Sequence, residues 1–316
     1  GAANNAITFD DTDTDMQPDL VWIKNLDATD QWCLFDSVRG ATEALHFEGT
    51  SGDATDNEDT DADTLDSFAS DGFQVDADVK VNTSSEDYAA WCWKESATAG
   101  FDIVSFTGNA TARTISHSLS AVPHLMFLKN RADSTRWWMY HHRNTSAPET
   151  DYLEIDHHGA TTDDATAWND TAPTSSVFSV GTSSETNGDT DAMIAWVWAE
   201  KQGYSSFGTY TGNGNADGTF VYTGFRPKFI VLKENGGNNG QMFDTERSPS
   251  NEAIQRMQIS ENTAQYASGN WVDILSNGFK VRTAAASINR AATTFFYIAF
   301  AEAPLVNSNG VPTTAQ

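Results

Sequence analysis

PDLVWIKN (Pro18–Asn25), PHLMFLKN (Pro123–Asn130) and PKFIVLKE (Pro227–Glu234) are three versions of one phrase, set 105 and 104 residues apart. Other landmarks keep nearly the same step. Arg39, Arg143 and Arg247 recur every 104 residues, and SDGF, SSVF and SNGF end at Phe73, Phe178 and Phe279. WCWKE, WVWAE and AFAE close each unit at Glu95, Glu200 and Glu302. A fixed period governs how the rest of a sequence is read, and a unit this long is a small domain rather than a solenoid turn. The expectation is three tandem homologous lobes spanning 1–100, 101–203 and 204–304, with a tail over 305–316.

Each unit reads as almost entirely β. Aromatic and β-branched residues fall in short alternating runs, broken by clusters of Asn, Asp, Gly, Ser and Thr. Repeat two offers seven candidates: FDIVSFTGN, RTISHS, HLMFLKN, RWWMYHH, DYLEIDHH, SVFSVG and AMIAWVWAE. Side chains alternate along a strand, so Ile194, Trp196 and Trp198 share one face while Ala195, Val197 and Ala199 share the other. Both faces are apolar, which predicts a central strand. TGNGNADG reads as a hairpin loop needing positive φ at Gly214 or Gly218, and GGNNG over 236–240 reads likewise. The fold class predicted is all-β, with three β-sandwich or jelly-roll-like lobes of about 100 residues. Aromatic burial of ~150–250 Å² per ring would support an independent core in each. Repeat one lacks a counterpart of the opening runs FDIVSFTGN and YSSFGTYTGN, which predicts a trimmed product or an upstream domain.

Lys and Arg number 18 against 44 Asp and Glu, a formal charge of −26. Such a field repels nucleic acid and anionic membrane surfaces, because affinity for phosphate comes from Lys and Arg. The sequence shows no signal-peptide pattern and no apolar run near the ~18 residues of a membrane span, so a soluble chain without membrane insertion is expected. Abundant acid with little lysine suits a saline setting, where salt screens self-repulsion, or an ordinary acidic secreted protein. Aromatics at 11% argue against disorder.

Repetition within the chain singles out residues. Lys24, Lys129 and Lys233 end the same strand; Arg39, Arg143 and Arg247 follow the next; Glu95, Glu200 and Glu302 close the last. The reading is a structural ion network in each lobe, Lys and Arg bridging to Glu and to Asp36 or Asp244, with a ligand-binding cation as the alternative. Repeat two departs by placing His141 where the others carry Asp36 and Asp244.

That departure lies in RWWMYHHR (Arg136–Arg143). Alternation would expose one of Trp137 and Trp138, and one of His141 and His142. An exposed Trp beside His and Arg can stack on a sugar or an aromatic partner, making Trp137, Trp138, His141 and His142 the candidate ligand-binding set; core or interface packing is the alternative. Neighbouring His on a strand point to opposite faces, so neither His141–His142 nor His157–His158 makes a zinc site alone.

The acidic runs DDTDTD and DNEDTDADTLD carry Asp-x-Asp-x-Asp spacing. They make Asp11, Asp13, Asp15, Asp59, Asp61 and Asp63 candidate calcium ligands, without the Gly and closing Glu of an EF-hand loop. Solvated acidic loops are the alternative, and no other cofactor is implied. Cys33 and Cys92 could pair within repeat one or stay as buried thiols. Sequons at Asn82, Asn109, Asn144 and Asn169 are short, degenerate patterns. The sequence carries no Gly-x-Ser-x-Gly elbow, phosphate loop, His-Glu-x-x-His or Cys-x-x-Cys, and a non-enzyme is expected.

The long motifs PDLVWIKN with CLFDSVRGA, SDGFQV, AWNDTAPTSSVFSVG, YTGNGNADGTFVYTGFRPKFIVLK and ILSNGFKVRT with AFAEAP resemble a family of tailed-phage structural proteins over essentially the whole chain. Members are commonly described as tail-fibre or tail-associated proteins of marine phages, often with a SPRY-like domain upstream. The chain departs from that pattern in its GAANN start, the insert around Asp53–Asp66 and His141–His142. The resemblance implies a virion-surface, extracellular location, other virion proteins as partners, and a homo-oligomer with a trimer favoured. It carries no site residues. The resulting expectation is a tail fibre or receptor-binding component touching host glycan or surface-layer protein. A capsid decoration or turret protein is the alternative, and a polysaccharide depolymerase the second.

Overall fold

The computed structural model describes residues 1–9, 15–47 and 58–301. The all-β class holds: twenty-four strands are described against four helices of four residues each and one short 3-10 turn. Every ladder is antiparallel within five sheets. No described helix is long and apolar enough to cross a membrane.

Each PDLVWIKN-type phrase forms a lysine strand, Leu20–Asn25, Leu125–Asn130 or Phe229–Glu234. A hairpin strand flanks it on one side: Cys33–Asp36, Trp138–His141 or Gln241–Asp244. A closing strand flanks it on the other: Tyr88–Trp93, Ala192–Trp198 or Thr294–Phe300. In repeats two and three an opening strand, Phe101–Thr107 or Ser205–Thr211, pairs outside the closing strand. Sheet one ends on its closing strand among the described residues.

Smaller strands cover the outer face of each main sheet. Repeat one uses Asn5–Ile7, Gly72–Val75 and Leu65–Ala69; repeat two uses Arg113–Ser116 with Val177–Val180. Repeat three uses Phe220–Tyr222 with Gly278–Val281, joined to its main sheet through the ten-residue strand Tyr266–Leu275. Gly214 takes the positive φ expected of the TGNGNADG loop, at +70°.

The predicted faces of the Ala192–Trp198 strand separate as alternation requires. Ala195, Val197 and Ala199 join the outer core of repeat two, with Trp168 and Phe178. Ile194, Trp196 and Trp198 join a different cluster, and that cluster corrects the expectation of independent cores. It gathers Trp22, Trp93, Phe127, Trp196, Phe229 and Phe300, drawn from all three repeats. Trp22 lies with ring centroids 4.8 Å from Trp93, 6.2 Å from Phe127 and 6.3 Å from Phe229. The three main sheets thus turn their inner faces toward one another, and each keeps a private core only on its outer side. Aromatic density is what permits this, since large rings span the gap where three twisted sheets converge.

Candidate functional site

The hairpin strands end on a residue that meets the neighbouring repeat. Asp36 accepts a 3.0 Å hydrogen bond from Trp196 Nε1, joining repeat one to repeat two. Asp244 accepts one of 3.2 Å from Trp91 Nε1, joining repeat three to repeat one. The third junction lacks both groups: the residue in register with Trp91 and Trp196 is Ile298, and the residue at the aspartate position is His141. His141 is fully buried and packs 5.1 Å from the ring of Phe296 in repeat three. Burial pushes its pKa down to about 3, so it is neutral. The indole donor and the carboxylate acceptor are therefore both replaced at one junction of a closed ring, where His141 Nε2 instead lies 3.5 Å from Tyr297 O.

The recurring arginines divide. Arg39 Nε pairs with Asp36 at 2.5 Å and its other nitrogens reach Glu58 and the carbonyls of Glu43 and Leu34. Glu58 also receives Arg131 from repeat two, through both carboxylate oxygens. Arg247 pairs with Asp244 at 2.6 Å and stacks 5.3 Å from the ring of Trp91. Arg143 does not take this place: it follows His141 by two residues instead of three, and it is exposed.

The lysines correct the expected network. Lys24 donates to the carbonyls of Asn25 and Ala28, and Lys129 to those of Asn130 and Asp133. Lys233 reaches Asn238 O and, across the junction, His157 O. They serve as buried pegs for turn carbonyls, and burial pushes Lys24 and Lys233 down to about 8. Lys24 sits opposite Ala89, while Glu95 lies beyond Trp93 at the other end of the closing strand, so recurring Lys and recurring Glu do not meet.

The glutamates tie one repeat to the next. Glu95 Oε1 accepts the backbone N–H of Ile103 at 3.4 Å, and Glu200 Oε1 accepts that of Phe207 at 2.5 Å. Each contacted residue is the third of the following opening strand. Burial, with a hydrogen bond to Asp102, pushes Glu95 up to about 7. Glu302 lies outside the described residues.

The ligand-binding set is not a surface. Trp137 is 0% exposed in the shared core, donating Nε1–H to His46 O. Trp138 is 5% exposed in the outer core, stacked on Tyr152 with centroids 3.7 Å apart. Alternation holds, but both faces of this sheet are covered, so neither Trp can offer its ring to a sugar. His142 is partly buried, bonded through Nε2 to Phe207 O and in edge contact with His124 at 4.6 Å.

Asp11 and Asp13 lie outside the described residues. Asp15, Asp59 and Asp63 are exposed, while Asp61 shares the ammonium of Lys80 with Asp78. No cluster of three His, Cys, Asp or Glu able to hold a metal occurs among the described residues. Cys33 and Cys92 are free thiols. Of the sequon residues, Asn82 and Asn144 are buried.

Two features escaped sequence reading. Asn82, Asn187 and Asn289 each end a four-residue helix and staple the loop ahead of the covering strands. Asn187 binds Asn109 and Thr111 O; Asn289 binds Asn213 and Asn215 O. The recurring Thr-Gly-Asn was the available signal. The second is a pair of exposed rings, Phe220 and Tyr222, on the outermost strand of sheet three. The corresponding positions hold Ala6 and Thr8 in repeat one and Thr114 and Ser116 in repeat two. Tyr222, Thr223 and Gly224 form one wall of a cleft of about 330 Å³ whose other wall includes Glu200, Gln202 and Ser206.

A single family covers this arrangement from end to end, matching residues 3–304. The chain belongs to the family described as Domain of unknown function (DUF7483). Its span takes in all three repeats, as the shared core requires of a single unit. Neither a search of the curated proteins nor one of the solved structures finds a match.

Proposed function

We propose that this chain is a structural protein of a virion surface, serving as a tail fibre or another host-contacting component that meets surface glycan or surface-layer protein. Support comes first from its long motifs, which resemble tailed-phage structural proteins over nearly the whole sequence. The observation that carries the reading is the shared aromatic core: three repeats that bury one another's inner faces act as one rigid block. Weak contacts made by many such blocks on one particle would add through avidity.

The ring of junctions favours a second reading, a capsid decoration or turret protein. One chain whose three repeats meet head to tail offers a threefold-like body that suits a threefold position on a lattice. A depolymerase draws less support.

Cryo-electron microscopy of intact particles, with the chain tagged, tests the proposal. Density at the tail tip or distal fibre supports host contact, density on the capsid lattice replaces it with decoration, and absence from purified virions overturns both.

A further inference from the structure

We infer that the cleft between repeats two and three is a binding site for a neutral carbohydrate, with Tyr222 as its stacking platform. Tyr222 is 64% exposed and Phe220 is 45% exposed, two residues apart on the same face of an edge strand. Two large rings exposed side by side place apolar surface in water, where a ligand can cover it. The opposite residues in register are Gly278 beside Tyr222 and Lys280 beside Phe220. Glycine there is required by packing, since a Cβ on Gly278 would collide with the Val221 carbonyl oxygen. The same glycine leaves the face of Tyr222 without a cross-strand side chain over it.

The backbone that carries the ring is fixed. Its strand turns at Thr223 and Gly224, whose N–H groups both donate to Asn277 O, while Thr223 Oγ1 donates to Phe225 O. A flat aromatic ring is the surface on which the axial C–H face of a pyranose stacks. The facing wall supplies what its hydroxyls need. Glu200 presents a carboxylate already oriented by the Phe207 N–H, Gln202 an amide, and Ser206 a hydroxyl paired with Tyr297 Oη at 3.1 Å. A volume of about 330 Å³ lies at the small end of the ~300–1,000 Å³ typical of ligand clefts, enough for one or two sugar rings. Junctions between folded units are where such clefts gather.

Charge selects the class of sugar. The chain carries −26 and the cleft itself holds Glu200, so uronates, sulfated glycans and sialosides are repelled. The site is specific to repeat three, because repeats one and two place small residues where Phe220 and Tyr222 stand. The inference is independent of where the chain sits on a particle, and it can fail while the virion reading survives.

The test is saturation-transfer NMR and calorimetry on the purified chain with maltotetraose, cellotetraose and mannotetraose, beside tri-galacturonate as the anionic probe. At least one neutral probe is expected to bind, with Tyr222→Ala weakening it by about three- to tenfold, in line with the worth of an aromatic stacking contact. Val38→Ala, which trims an exposed apolar residue in repeat one, should leave binding unchanged. Both variants sit at exposed positions, so circular dichroism should report an intact fold for each. No binding of any neutral probe at about 10 mM, undiminished binding by Tyr222→Ala, or equal binding of tri-galacturonate would each overturn the proposal.

Discussion

Trp196 Nε1 donates to Asp36 Oδ2 across 3.0 Å, from the closing strand of repeat two to the hairpin strand of repeat one. Asp36 is at once the partner of Arg39, so one fully buried carboxylate fixes its own turn and the neighbouring sheet. A hydrogen bond to a charged, buried acceptor is worth ~1.5–3 kcal/mol. Trp196→Phe keeps most of the ring and removes the donor. Urea unfolding should show a stability loss of about that size with an unchanged denaturant slope. Trp91→Phe should lose a similar amount through Asp244.

The junction built around His141 should respond in the opposite sense to chemistry that helps the other two. His141→Asp would restore the residue found at Asp36 and Asp244, yet Ile298 has no side-chain N–H to offer it. A buried carboxylate left with the Arg143 N–H but without an indole or a buried guanidinium partner should cost about 2–4 kcal/mol at pH 8. Desolvation would raise the pKa of the new carboxyl, so the loss should shrink as pH falls toward 5. A loss of under half a kilocalorie, or one that is flat with pH, would refute the matched-absence reading.

Asp156 is buried, accepts the Trp137 N–H with both oxygens at 3.3 Å, and is pushed up to about 7 by that burial. Its ordinary value is 3.8. Between those two values the folded protein binds the extra proton and the unfolded chain does not, so this group makes stability fall as pH rises through that window. Asp156→Asn keeps an acceptor for Trp137 and removes the titration. The variant should gain on the order of 1–3 kcal/mol over the parent at pH 8 and little at pH 4, read from paired denaturation curves.

Trp138→Ala should act on folding rather than on binding. The indole is buried against Tyr152, and emptying such a site costs ~3–5 kcal/mol. Thermal unfolding should show a large drop in midpoint, while any saccharide affinity measured well below that midpoint should match the parent. A folded, equally stable variant with lost affinity would return the ligand site to the RWWMYHHR segment.

Much of the fold was legible because its signals are local and repeated. The alternation in IAWVWAE assigned each of its side chains to the face it occupies, since strand geometry leaves no other choice. The candidate site was less legible. Two adjacent tryptophans on a strand look like one inside and one out, unless the outer face is covered too, as it is by the cluster that buries Trp138 with Trp168 and Phe178. Lys24 and Glu95 look like a pair because both recur. Recurrence records a shared role within each repeat, and here those roles are separate: one pegs turn carbonyls and the other caps the next strand.

The sequence by itself determined the β class, the three-part period, the strand faces and the acidic character, because periodicity and composition act through near neighbours and summed charge. Only the tertiary structure decided that the three inner faces share one core, that Trp196 reaches Asp36 and Trp91 reaches Asp244 around a closed ring, and that Phe220 and Tyr222 are left outside. Each of these depends on which surfaces remain once sheets far apart in the chain have packed, and no local pattern encodes that remainder.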